Sequence, residues 1–348
     1  MNVLLHGLAV AVLLAVATPP LYAAPDLPPA AFQQSTTAQA EPDSPYTFKV
    51  DATLVNVDVL VTDEDGRVLS NLQQQNFRVL DNGVPQTIVN FAPTTAPITI
   101  VLLLEYSADS YNYFAGKAAD WGSAFLDHLE PTDWIALVTF DMRSTVRVDF
   151  THKLFEVRDS IATLGFPQFS EANLFDALID TLDKLDPVRA RTAILVMATG
   201  ANSFSAASLD DVYQRLRQTD TTIFCIGLAE AEYLRSGDAS LNYAMEKNWL
   251  TAFAERTGGF ALFPRFQGEL PDIFRSVVGF LRNEYTLSFR PPPQSRDGRF
   301  HTLRVQVVGP DGKPLRVTDA KGRSRKIEVY AREGYTAPSD NAPRANAP

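Results

Sequence analysis

Glu105, Ser107 and Asp109 stand two residues apart, with Tyr106 inside the run and Ser110 closing it. Two carboxylates and two hydroxyls in so short a span offer three readings. The first is a set of oxygen donors for a hard divalent cation such as Mg²⁺, which takes about six oxygens near 2.1 Å. The second is a hydrolase with Ser107 as nucleophile. Its support is thin: no G-x-S-x-G elbow surrounds Ser107, and His6, His128, His152 and His301 fall in leader, helix-end, loop and strand contexts. The third is a solvated polar rim at a strand end.

The element that delivers these residues is legible. Residues 98–104 are an apolar run without polar alternation, as in a strand buried on both faces of a parallel sheet. Ligands of open α/β sheets bind beyond the carboxyl ends of the strands, which is where residues 105–110 fall. Helical and strand patterns then alternate. Helices are expected over 111–129, 153–164, 174–185, 209–218, around 249–256 and over 270–281. Strands are expected over 134–140, with 145–150 as antiparallel neighbour, and over 192–197, 222–227 and 260–263. This predicts an α/β fold with a doubly wound, mostly parallel sheet. Residues 230–247 read as a long loop or partial helix, either functional or a variable insertion. Cys225, the single cysteine, reads as a small core residue.

Strand patterns flank this region. In front, 48–61 alternates, Asp63-Glu64-Asp65-Gly66 turns the chain, 76–80 returns it, and Asn82-Gly83 turns it again into 87–91. Asp63 and Asp65 lack the rest of a calcium-loop pattern and read as a plain turn. Behind come 285–289, 302–308 and 326–331, with Asp311-Gly312 as a hairpin turn. Neither flank alone has strands enough for a covered sheet. Together they are expected to form one β-sandwich with the α/β domain inserted between its halves.

The chain has 348 residues, 45% hydrophobic and 21% charged, with a formal net charge of −10 and no basic block. That implies a globular core and argues against nucleic acid or an anionic membrane surface as partner. A short apolar run over 8–17, followed by Ala23-Ala24, fits a secretory signal over 1–23 better than a membrane anchor. Residues 24–45 and 336–348 have the composition of disordered linker and tail. A leader with no cysteine for lipid attachment or disulfides suits an exported protein, periplasmic or secreted, without stable membrane insertion.

The strand ending at Glu105, the loop before Leu174-Phe175-Asp176, the strand leading to Thr199-Gly200 and the Thr257-Gly258-Gly259 turn fall in an order that resembles the von Willebrand factor type A (VWA) domain, over 97–283. The flanks, 46–93 and 284–335, are similar to the acidobacterial-type VWFA-related secreted proteins. The motifs there are Phe77-Arg78-Val79-Leu80-Asp81-Asn82-Gly83, Asp297-Gly298-Arg299-Phe300 and Gly334-Tyr335. The resemblance implies an adhesion or scaffold module with a metal-ion-dependent adhesion site (MIDAS). That site uses a D-x-S-x-S run, a Thr from a second loop and an Asp from a third, and leaves one coordination position for an acidic group of the partner. Here Glu105 stands for the first Asp, Ser107 is kept, Asp109 stands for the second Ser, Ala172 for the Thr and Thr199 for the last Asp. Ala172 removes an oxygen and Thr199 a charge. The added methylene of Glu105 pushes its carboxylate outward by about 1.5 Å, and Asp109 restores a charge.

The implied site is Glu105, Tyr106, Ser107, Asp109, Ser110, Ala172, Asn173 and Thr199. It is read as a degenerate MIDAS on a face that binds a protein or cell-surface polymer, with no catalysis and no cofactor. The alternative retains Mg²⁺ or another divalent cation on Glu105, Ser107 and Asp109. Tyr106, Tyr111, Tyr113, Phe114, Phe166 and Phe169 lie on the surrounding loops, either covering the core or forming a contact surface.

Overall fold

Alternation in the front flank produces β1 (Val55–Asp63), whose Val55, Val57, Val59 and Val61 are buried, then β2 (Phe77–Asp81), β3 (Val84–Gln86) and β4 (Ile88–Pro93). The computed structural model describes residues 54–93, 96–114, 118–188, 190–230, 233–234, 241–318 and 322–337. The expected leader and linker, and the tail from 338 onward, lie outside these residues. Among the described residues no helix is long and apolar enough to cross a membrane.

The α/β domain follows as β5 (Thr99–Glu105), α1 (Ala108–Phe114), α2 (Ala118–Leu126), β6 (Trp134–Phe140), β7 (Ser144–Thr151), α3 (Leu154–Ala162), α4 (Leu174–Leu185), β8 (Thr192–Ala198), α5 (Leu209–Leu216), β9 (Thr222–Gly227), α6 (Leu241–Arg256), β10 (Ala261–Leu262) and α7 (Leu270–Arg282). Its sheet runs β10-β9-β8-β5-β6-β7, parallel except for the edge strand β7. Every residue of the central β5 is buried. Ile100, Leu102 and Leu104 pack with Phe125 and Phe274 on one face, while Val101 and Leu103 pack with Phe175, Leu178 and Phe253 on the other. Each fully buried Leu of this kind contributes about 1.5–3 kcal/mol. Two boundaries differ from expectation. The first helix begins at Ala108 rather than near 111, and α6 begins at Leu241 rather than near 249, so 241–247 follows the partial-helix alternative.

The last strands are β11 (Tyr285–Phe289), β12 (Phe300–Val307), β13 (Val317–Thr318), β14 (Ser324–Arg325), β15 (Ile327–Ala331) and β16 (Gly334–Thr336). Strands β13 and β14 pair with each other, and the other four join the front flank in two sheets, ordered β15-β1-β11-β4 and β16-β12-β2-β3. One core, with Val57, Val59, Phe77, Val79, Tyr285, Leu287 and Leu303, fills the space between them. The sandwich thus draws each sheet from both flanks, as expected. The expected return of β1 into β2 is not what forms: β1 pairs with β11 and β15, whereas β2 pairs with β12 and β3. The valines of β1 and Phe77 and Val79 of β2 face each other across the core instead of pairing in one sheet. Asp63 makes the turn plain, its Oδ1 accepting the N–H groups of Asp65 and Arg67 at 2.9 Å each. Asn82 and Gly83 have φ of 47° and 82°, the left-handed pair that a two-residue hairpin between β2 and β3 requires. Strand β16 carries Thr336 and is followed by buried Ala337, so the ordered chain runs past the expected tail boundary.

The front and end motifs meet in the sandwich. Buried His301 sets Nδ1 at 2.8 Å from Asp81 Oδ1 and Nε2 at 3.2 Å from Asp297 Oδ1, and Tyr335 OH donates to Asp81 Oδ2 at 3.0 Å. The chain leaves and re-enters the sandwich on paired neighbours, since Pro93 of β4 faces Tyr285 of β11. Arg191, just before β8, ties the two parts together. It is bonded to the buried Glu284 carboxylate, donates to Leu281 O at 2.6 Å and lies 3.7 Å from Asp58 of β1. Gly258, at φ +87°, abuts the same junction: a Cβ there would stand 2.8 Å from the backbone N of Arg332.

Arg191→Met leaves Glu284 buried without its cation and is expected to lower unfolding free energy in urea by about 3–5 kcal/mol, whereas Arg191→Met with Glu284→Leu recovers most of it. Equal loss in the single and double variants would show that the charge pair is not what matters there.

Candidate functional site

The end of β5 places Glu105 at the carboxyl edge of the sheet with no exposed surface. A carboxylate so enclosed needs donors on both oxygens. Ser107 Oγ donates to Oε1 at 2.6 Å, and Thr199, immediately after β8, donates its N–H (2.7 Å) and Oγ1 (2.8 Å) to Oε2. Ser110 Oγ lies 2.9 Å from Glu105 O and 3.0 Å from Ser107 O, and it accepts Ser107 N–H at 3.1 Å. Ser107 Oγ in turn accepts Ser110 N–H at 3.2 Å. This reciprocal bonding starts α1 early and leaves Asp109 exposed in its first turn, where helix N–H groups favour a carboxylate.

Asn173 ties the next two loops to this centre. Its N–H donates to Asp141 O at 2.8 Å, its Nδ2 to Met142 O at 3.1 Å, and its Oδ1 accepts Phe204 N–H at 2.9 Å. Ala172 is buried beside it, with Ser203 N–H on its carbonyl at 2.8 Å. Asp176, one turn into α4, accepts the N–H groups of Ala206 and Ala207 at 2.9 and 2.8 Å, fixing the loop after β8. The expected site residues therefore come together at one crest, but in two layers. Glu105, Ser107, Ser110, Ala172 and Asn173 are buried, Tyr106 and Thr199 are half-buried, and Asp109 is exposed. The solvated-rim reading of Glu105 and Asp109 is corrected for Glu105 by this burial, while Asp109 is exposed as that reading expects. As face residues, the five buried ones hold the crest together from beneath.

Around them stand apolar side chains. Phe166 is 72% exposed and Phe169 43%, so neither covers the core. Phe166 packs edge-on against Tyr111 at 4.9 Å, while Tyr106 OH donates to Gly165 O. Phe169 O accepts Ala108 N–H at 2.8 Å, bringing that loop onto the start of α1. The side chains of Tyr113 and Phe114 lie outside the described residues. Met142 and Phe204, which the sequence pattern did not single out, join the same crest and are exposed.

A further residue missed in the sequence is Glu246 of α6. Its Cβ lies 2.9 Å from where a Cβ on Gly200 would stand; Gly200, at φ +97°, is the residue that permits this approach. Burial first, then the charges of Glu105 and Asp109, push the Glu246 carboxyl up to about 7. Burial likewise raises Glu105, opposed by the hydrogen bonds from Ser107 and Thr199. For metal chemistry, no three His, Cys, Asp or Glu among the described residues are grouped as ligands. For hydrolysis, His152 bonds Asp133 O before β6, at the far edge of the sheet, and His301 is held in the sandwich.

No family model and no curated protein matches the chain. Solved structures do. A von Willebrand factor type A protein from Catenulispora acidiphila is 11% identical over 86% of this chain and 76% of that chain, with a TM-score of 0.43. The vWF domain of the type V pili tip protein Mfa5 from Porphyromonas gingivalis is 12% identical over 54% and 96%, TM-score 0.41. Proximal thread matrix protein 1 of the mussel byssus, with a zinc-occupied MIDAS motif, is 15% identical over 57% of this chain and 49% of that chain, TM-score 0.43. The α/β domain has a six-stranded, mostly parallel sheet with helices on both faces, the fold class expected from the sequence. In this frame the crest is the carboxyl edge of the parallel strands.

Glu105→Gln sets an amide NH₂ against at least one of the donors Ser107 and Thr199, and is expected to cost about 1–3 kcal/mol in chemical unfolding. A neutral result would mean that those bonds do not hold the crest. Because a raised carboxyl pKa disfavours the ionised folded state, Glu246 weakens folding progressively as pH rises from 4.5 through about 7. Glu246→Gln is therefore expected to raise Tm at about pH 8, with the two proteins converging near pH 4.5; a gap that is independent of pH would refute the assignment.

Proposed function

We propose that this chain is an exported, non-catalytic binding module that engages a protein or surface polymer through the crest, and that the crest is organised without a metal ion. The observation that carries this reading is the fully buried Glu105 carboxylate, with both oxygens occupied by Ser107 and Thr199. Where a MIDAS uses side-chain oxygens to surround a cation, here hydroxyl and amide donors point inward at one carboxylate. Ala172 offers no oxygen from the second loop, and Thr199 is engaged as a donor. The donor set does not fit an octahedral Mg²⁺ site, which needs about six oxygens free to coordinate. Exposed aromatic and methionine side chains around the crest are the residue types enriched at interface centres. Export is inferred from the leader composition of residues 1–23.

Titration of the purified chain with Mg²⁺ or Mn²⁺ by calorimetry is expected to give no saturable heat at millimolar metal, and Tm is expected to be unchanged by EDTA. Saturable binding abolished by Asp109→Ala would restore the alternative, a cation held by Glu105, Ser107 and Asp109.

A further inference from the structure

The crest combines two features that constrain its occupant. The first is apolar: Phe166, Phe169, Phe204 and Met142 are exposed at 72%, 43%, 66% and 36%, on three loops tied to one another through Ala108, Ala172 and Asn173. Phe166 is further braced by Tyr111, so it is presented on a fixed support. Exposed apolar groups gathered on one face mark interaction sites rather than ordinary surface. The second feature is charge. Asp109 is exposed at the start of α1, and Glu246 approaches it across Gly200, with Glu105 beneath both.

Of the nearby cations, Lys247 is paired, while Arg143 and Arg147 keep exposed guanidinium groups at the crest. Lys247 pairs with Glu230 at 2.9 Å and lies over the Phe263 ring, and Arg147 donates to Thr139 Oγ1 at 2.8 Å while stacking over Tyr106. Arg143, exposed on the turn after β6, stands on the loop that also carries Met142. The centre of the crest therefore carries the carboxylates of Asp109 and Glu246, with an apolar rim whose β6–β7 side also bears Arg143 and Arg147.

We propose that the crest takes a basic, apolar-flanked segment of a partner protein: a Lys or Arg seated over Asp109 and Glu246, with neighbouring apolar side chains on the Phe166, Phe169 and Phe204 rim. This rests on the crest being the binding face. It reverses the polarity of a metal-bearing site. A cation held by the protein attracts a partner's carboxylate, whereas the carboxylates of Asp109 and Glu246 attract a partner's ammonium or guanidinium. A long basic side chain suits the geometry, because its stem lies along apolar surface while its head reaches the carboxylates, and the rings themselves attract a cation.

Panning a random peptide library displayed on phage against the full chain tests this. The enriched peptides are expected to carry Lys or Arg beside Leu, Phe or Trp. Their synthetic forms are expected to bind about tenfold more weakly to the Asp109→Asn/Glu246→Gln variant and to the Phe166→Ala/Phe204→Ala variant, and more weakly as ionic strength rises. Thermal unfolding of both variants checks that they remain folded. Enriched peptides that are acidic or uncharged, yet still depend on Phe166 and Phe204, would overturn the basic partner while leaving the crest as the binding face. Enrichment indifferent to both variants would overturn the basic partner and the crest reading together.

Discussion

A carboxylate with no exposed surface is costly unless donors meet it, and the geometry at the sheet's edge follows from how Glu105 is met. Ser107 is bent back over its own strand end, which allows Ser110 to close the turn and α1 to begin at once. Thr199 is drawn in from β8, so two adjacent parallel strands are joined at their ends by one side chain. With that centre closed, Asp109 is left exposed in the first helical turn, and Glu246 arrives over Gly200, within reach of its charge. The two layers of the crest, a buried polar knot and an exposed acidic and aromatic surface, are consequences of one enclosed charge.

Much of this architecture is written in local pattern. The apolar run before Glu105 reads as a strand buried on both faces, and the paired left-handed residues Asn82 and Gly83 name their own hairpin. The flanking strands also announce themselves by alternation. Alternation does not say which sheet a strand joins, and β1 and β2, consecutive in sequence, lie in different sheets because their apolar faces bury against each other.

At the crest, residue identity was readable but environment was not. Glu105 and Thr199 are visible as departures from a motif and Ser107 as its retained member; that they bond one another depends on the parallel register of β5 with β8. Glu246 carries no local signal, since α6 mixes Met245, Glu246, Lys247 and Trp249 without a clear apolar stripe, and its partners stand on other elements. Phe166 and Phe169 were ambiguous for a similar reason. An aromatic in a loop reads alike whether it covers a core or faces outward, and only burial separates the two.

The insertion of one domain into another also orders events in time. Strands β1 and β4 can acquire their partner β11 only after the whole α/β domain has been synthesised, because β11 follows it in the chain. Closing so long a loop from an unfolded chain carries an entropic cost, whereas a folded α/β domain with its ends side by side has already met it. Pro93 and Tyr285 lie directly opposite each other at those ends. The side-by-side ends of the inserted domain thus bring the two flanks together: until β11 is made, β1 and β4 are unpaired edges, open to misassociation during synthesis.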